Sequence, residues 1–353
     1  MTAAPTNAPA AAPADVVPVL RAHPRPMAHR WWAVGLLALL GCLVVASLFV
    51  GSESLSPARV WASLTGSGAS DEDAIVHGLR VPRTVLGVLL GAALGLAGAL
   101  SQEHTRNPLA DPGLLGVTAG AATGVVVAIM AFGLTSVGEY LWFALAGALL
   151  AAFLVLGIAA RITVFVAATT VVLTGSIVTA LLGSISSIAV LLDRTVADVF
   201  RYWTVGSLAG RDFGVVGSVT PLLAIGLVLA ALNLPALNPL ALGDVSAQSL
   251  GRNVGRDRLI GLTSVACLAA AATAACGSVA FLGLLVPHVA RTLAGANRTW
   301  AAVLSVPVGG CIVLVADMAG RVMLAHSEVP VGIVLALVGT PAFVLIARRK
   351  VHE

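Results

Sequence analysis

Long apolar runs separated by short polar breaks set the pattern of this chain. Ten of them are long enough, at about 1.5 Å rise per residue, to cross a hydrocarbon core of about 30 Å as a helix. They are 31–50, 84–101, 113–133, 139–160, 163–191, 215–235, 258–277, 279–296, 300–317 and 330–347. The pattern predicts an all-α polytopic membrane protein with about ten transmembrane helices. The pair 258–277 and 279–296 is parted only at Gly277-Ser278, which requires a tight turn. The run 163–191 is longer than a span needs, which implies tilt or an extension beyond the bilayer.

The sharpest polar break is Gln102-Glu103-His104-Thr105-Arg106-Asn107-Pro108-Leu109-Ala110-Asp111-Pro112-Gly113. Pro108 and Pro112 each remove an amide donor and push the preceding residue out of the α region, so no continuous helix passes through 107–112. Asp111-Pro112-Gly113 predicts a helix start, with Asp111 as N-cap and Pro112 in the first turn. A second break, 240–258, contains Gly243, Asp244, Ala247, Leu250, Gly251 and Val254. Asp244 can cap a short helix that stops at Gly251, and Val254 opens a further stretch. This loop is longer and more apolar than a bare connection requires. It suits a docking knob for a soluble protein, with a helix lying on lipid as the alternative.

Composition confirms the class. Hydrophobic residues make up 58% and charged residues 10%, where a soluble domain carries about a quarter charged. Charge then adds orientation. With the N-terminus inside, thirteen of the 20 basic residues fall on the cytoplasmic side, while the 16 acidic residues divide ten outside against six inside. This obeys the positive-inside rule and places both termini in the cytoplasm. The basic balance therefore reports topology and gives no sign of nucleic-acid binding. Residues 1–30, rich in Ala and Pro with Arg21, Arg25 and Arg30, are expected to form a disordered cytoplasmic tail.

Candidate chemistry is sparse. Cys42, Cys267, Cys276 and Cys311 all lie inside apolar runs without metal-ligand spacing, so no disulfide framework or metal site is expected. The one lysine, Lys350, follows Arg348-Arg349, so the chain has no phosphate-binding Gly-x-x-x-x-Gly-Lys loop. No nucleophile elbow or zinc-binding helix occurs either, so the chain is not expected to be an enzyme. Ion-coupled carriers need ionisable groups at mid-membrane depth, and here His288, after Pro287, is the main candidate. As a single histidine beside a helix-breaking proline it reads as structural. Energy is expected to come from a partner; an ion-coupled secondary transporter is the rival from another class.

Several strings together resemble the iron-siderophore and cobalamin ABC-importer permeases. They are Arg80-Val81-Pro82-Arg83-Thr84, Thr105-Arg106-Asn107-Pro108-Leu109-Ala110-Asp111-Pro112-Gly113, Ala280-Phe281-Leu282-Gly283-Leu284-Leu285-Val286-Pro287-His288, and Val329-Pro330-Val331-Gly332 with Gly339-Thr340-Pro341. The resemblance covers about residues 31–350, in order. It departs at Gly277-Ser278-Val279, where the family usually has a Gly-Pro pair, and at Thr340, usually alanine. The ferric-enterobactin-type permeases are the nearest group, on Phe200-Arg201-Tyr202-Trp203 and Arg298-Thr299-Trp300.

The resemblance implies two five-helix halves of opposite topology, about 31–191 and 215–347, as in the cobalamin permease. It implies a second permease (a sister chain or a copy), two cytoplasmic ATPase subunits that use ATP and Mg, and an extracytoplasmic siderophore-binding protein. No cofactor is expected on this chain. The multi-pass permease would sit in the bacterial cytoplasmic membrane. Arg80, Arg83 and Arg321 match family positions at the outer mouth that receive acidic residues of the binding protein; snorkelling is the alternative for the first two. Hydroxyls of the fifth span, Thr169, Thr174, Ser176 and Ser184, are expected along the translocation path, or else bonded to their own helix backbone. The same family also contains haem and cobalamin importers, which remain the alternative cargo.

Overall fold

Helices make up all the regular structure in the described residues of this computed structural model, 26–51, 55–66, 71–162, 168–324 and 327–351. In chain order they are α1 (Pro26–Phe49), α2 (Pro57–Thr65), α3 (Asp71–Ile75), α4 (Val81–Thr105), α5 (Val117–Phe132), α6 (Val137–Ile162) and α7 (Ala168–Leu192). They continue with α8 (Arg194–Val205), α9 (Phe213–Ala241), α10 (Asp244–Ser249), α11 (Val254–Cys276), α12 (Leu282–Ala294), α13 (Arg298–Val322) and α14 (Val331–Val351). The predicted disordered tail, up to residue 25, lies outside the described residues; 26–30 already belong to α1.

Seven helical stretches among the described residues are long and apolar enough to cross a membrane: His29–Phe49, Asp73–Thr105, Val137–Ile162, Thr169–Leu192, Phe213–Ala241, Val254–Cys276 and Arg298–Val322. Three of the ten predicted spans are shorter apolar helices, Val117–Phe132, Leu282–Ala294 and Val331–Pro341. Local chemistry explains two of these. Asp111 does cap its turn, accepting from the Gly113 amide at 2.8 Å. The turn is a 3-10 helix over Pro112–Leu115, however, and left-handed Gly116 (φ 72°) delays α5 to Val117. After α11, Gly277 (φ 83°) and Phe281 (φ 65°) bracket a non-helical link, so the turn read at 277–278 is wider and α12 starts at Leu282.

Other boundaries moved outward. α9 runs 29 residues through Pro221, Pro235 and Pro239, past the predicted end at 235. Each proline keeps a helical φ and removes one ladder bond. Val254 opens the long helix α11, where a short stretch was expected. The amphipathic helices α2 and α8 were not foreseen; Asp193 caps α8 through the Thr195 and Val196 amides.

Almost the whole of α4 is buried, against α13, α11, α12 and α9. Glycine makes this possible. A methyl group on Gly91 would overlap the Gly309 carbonyl of α13, and one on Gly98 would overlap Gly283 of α12. Small residues let backbones touch where lipid supplies no hydrophobic force between helices.

Candidate functional site

At one end of the bundle, α10 forms a knob between α9 and α11. Its two glycines are required by the backbone: Gly243 (φ 109°) starts the turn and Gly251 (φ 79°) stops the helix. Gly243 takes the N-cap position expected of Asp244, which is the first helical residue. The Asp244 carboxylate instead accepts from Arg106 (2.5 Å) and Arg258 (3.1 Å). Arg106 holds the left-handed C-cap of α4 and also donates to the Leu240 carbonyl (3.2 Å). The knob is thereby tied to α4 and α11 by side chains.

Ala247 and Val254 point inward and pack with Ala236 and Leu240. Leu250 points out, together with Leu242 and Val245, the last 78% exposed. Periodicity across six residues was too short to separate these faces beforehand. Arg252 forks onto Asp257 at 2.8 and 2.9 Å, fixing the turn into α11.

Beneath the knob lies a buried polar chain that sequence reading missed. Asn233 of α9 accepts from His104 Nε2–H through Oδ1 (2.7 Å) and donates through Nδ2 to the Asp257 carbonyl (2.6 Å). Polar residues inside apolar runs were its signal. Asn107 closes the insert as an Asx turn, accepting from the Leu109 amide (2.9 Å) ahead of Pro108–Pro112. Burial pushes the Asp111 carboxyl above its ordinary value, and the Gly113 amide offsets part of that.

At the opposite end the three predicted docking arginines come together, but deep in the protein. Arg80 donates to the Leu48 and Phe49 carbonyls (3.0 and 3.2 Å). Arg321 donates to those of Ser47 and Val50 (both 2.8 Å). Together they satisfy the orphan carbonyls at the end of α1. Arg83 and Arg321 clamp Asp317 from two sides, at 2.8 and 2.5 Å. Arg83 also pairs with Glu328 at 2.6 Å. A cavity of about 420 Å³ opens beside Arg80, Arg83, Arg321 and Glu328.

The hydroxyls of α7 divide. Ser176 and Ser184 sit on its exposed side and donate to the carbonyls four residues back, at 2.9 and 2.8 Å. Thr169 is exposed and Thr174 buried. Pro287 is buried inside α12 and His288 is half-buried beside it. No group of three or more His, Cys, Asp or Glu that could hold a metal occurs among the described residues.

A bundle of membrane-crossing helices with a knob at one end and a charge-lined mouth at the other has the layout of a transporter's membrane subunit. The comparisons give its family. The chain belongs to the FecCD transport family, whose model matches residues 37–349. It is 40% identical over 316 residues to the ferric enterobactin transport system permease protein FepD of Escherichia coli (strain K12), covering 90% of this chain and 94% of that one. To the cobalamin import system permease protein BtuC of Halobacterium salinarum it is 33% identical over 338 residues, covering 93% and 90%. A solved metal-chelate type ABC transporter in an inward-facing conformation matches with a TM-score of 0.74 at 26% identity, over 90% of this chain and 98% of that one. The chain is thus the permease of an ABC importer, a non-catalytic membrane component.

Proposed function

We propose that this permease carries ferric siderophores, of the catecholate (enterobactin) type, into the bacterial cytoplasm. It works beside a second permease, two ATPase subunits and an extracytoplasmic binding protein. In this reading ten helices form two inverted five-helix halves, both termini face the cytoplasm, and α10 is the contact with the ATPase. The observation that carries the coupling role is the α10 surface itself. Leu242, Val245 and Leu250 are apolar and exposed while Asp244 fixes the knob to α4 and α11. A partner closing on ATP would move that surface, and the two arginines would pass the motion to the bundle. Support for the cargo is the relationship to FepD.

At the outer mouth, Arg80, Arg83 and Arg321 line the cavity that receives the binding protein. Their bonds to α1, Asp317 and Glu328 hold them in place. The exposed Thr169, Ser176 and Ser184 face the translocation path, with Thr174 behind them.

The test is uptake by the reconstituted complex with four cargoes: ferric catecholate, ferric hydroxamate, haem and cobalamin. Catecholate uptake should require ATP. Val245→Asp with Leu250→Asp should abolish it and release the ATPase, since losing central apolar contacts costs at least about 2 kcal/mol. Cobalamin or haem uptake alone would replace the cargo. Uptake by the permease without ATPase, driven by an ion gradient, would replace the mechanism.

A further inference from the structure

The end of the bundle that carries α10 also holds a basic chamber, of whose charged residues the proposed coupling uses only Arg106. It measures about 330 Å³, and its walls include Glu103, Arg106, Pro108, Ala241, Arg291 and Arg298. Three guanidiniums face one carboxylate there. Glu103 accepts from Arg298 at 3.3 Å and stands 3.9 Å from Arg291. Arg106 is committed to Asp244 and the Leu240 carbonyl. Among the described residues no other acceptor bonds the side chains of Arg291 or Arg298. Each guanidinium carries five donors, so donors outnumber acceptors in a recess where the Arg291 side chain is only 16% exposed. Such a recess suits an anion.

Placement and surroundings narrow the anion. Glu103 lies in the last turn of α4, Arg291 in the last turn of α12 and Arg298 at the first residue of α13. All three therefore sit at the ends of apolar helices, where the headgroups of a membrane crossed by those helices would lie. A larger, mainly apolar chamber of about 660 Å³ shares Ala241 with the basic one; its walls include Pro239, Ala294, Ala296 and Trp300, and also Leu242 and Leu250 of the knob surface. A charged recess beside an apolar one suits an amphiphile with an anionic head.

We propose that the basic chamber binds the phosphate of an anionic phospholipid, whose apolar part enters the adjoining chamber. Arginine forks pair well with phosphate oxygens, and basic pockets between membrane helices take such headgroups. The site shares Arg106, Leu242 and Leu250 with the proposed coupling surface but no residue with the proposed cargo path, so it stands or falls separately from the cargo.

The assembled importer, purified in detergent, is titrated with phosphatidylglycerol, phosphatidylcholine or inorganic phosphate. Thermal unfolding and native mass spectrometry report binding. Phosphatidylglycerol should raise the unfolding midpoint saturably, and neither of the others should. Arg298→Gln should weaken its apparent affinity about fivefold, the effect of one basic charge near a membrane surface. Glu103→Gln should tighten it by a similar factor, an opposite sign that misfolding cannot produce. An equal shift with inorganic phosphate at matched concentration would overturn the lipid as ligand. Unchanged affinity in both variants would overturn the site.

Discussion

Two aspartates each bridge a pair of arginines, at opposite ends of the molecule. Asp317, 1% exposed, lies between Arg83 and Arg321; Asp244, 38% exposed, lies between Arg106 and Arg258. The connectivity is alike and the surroundings are not. Around Asp317 water is excluded, so the charges cannot be left unpaired and the cluster behaves as one rigid unit. Around Asp244 water and salt reach the carboxylate and Arg106, while Arg258 is buried, so the exposed pair orients the knob without much holding the fold. The same motif fixes a buried structure at one end and orients an exposed surface at the other.

Replacing each aspartate breaks this comparison directly. Asp317→Ala should be the most damaging, destabilising by about 3–5 kcal/mol because buried Arg321 loses its paired carboxylate and Arg83 is left with Glu328 alone. Its effect on the unfolding midpoint should hardly change between low and high salt. Equal tolerance of Asp317→Ala and Asp244→Ala would show that burial is not the deciding variable. Asp244→Ala should cost no more than about 1 kcal/mol. That loss should shrink as salt rises, while ATP-driven uptake falls further than stability does.

A third aspartate sharpens the contrast, because Asp111 is half-buried and its carboxylate accepts from the Gly113 amide, with no arginine partner among the described residues. Its folded-state pKa is raised above the unfolded value. The folded protein therefore binds the extra proton, and stability falls as pH rises from the unfolded value through the folded one. Asp111→Asn keeps the acceptor and removes the charge, so it should flatten that part of the pH profile without loss at neutral pH. Asp111→Ala should lose about 1 kcal/mol with the cap. Unfolding midpoints across the acid range test both, and a profile unchanged in the asparagine variant would refute the assignment.

Much of this fold could be read from runs of apolar residues, because a membrane helix must be apolar along its whole length. Helix ends were harder. Leu114–Leu115 and Ser278–Ala280 are apolar or small yet not α-helical, since Gly116, Gly277 and Phe281 take left-handed or otherwise positive-φ backbone that hydropathy cannot reveal. Prolines misled in the other direction, as α9 continues through Pro235 and Pro239. Around the sites, sequence brought Arg80, Arg83 and Arg321 to one mouth but could not foresee their depth. That depth depends on Asp317, one helical turn before Arg321, and on the carbonyls of α1, both distant from Arg80 and Arg83 in sequence. At the knob, Ala247 and Leu250 were chosen together with the spacing of one helical face, yet α10 ends at Ser249 and Leu250, as its C-cap, turns outward while Ala247 is buried.

The prolines near the end of α9 have a mechanical consequence. Pro235 and Pro239 are four residues apart, so they stand on one side of the helix, one turn above the knob. Neither donates to the ladder, which removes two successive bonds along the same stripe. A rod weakened along one stripe has unequal bending stiffness: it yields in the plane of the missing bonds and resists across it. Force entering at α10 would therefore meet a joint with a preferred direction, and the last turns of α9 would steer the stroke as well as transmit it.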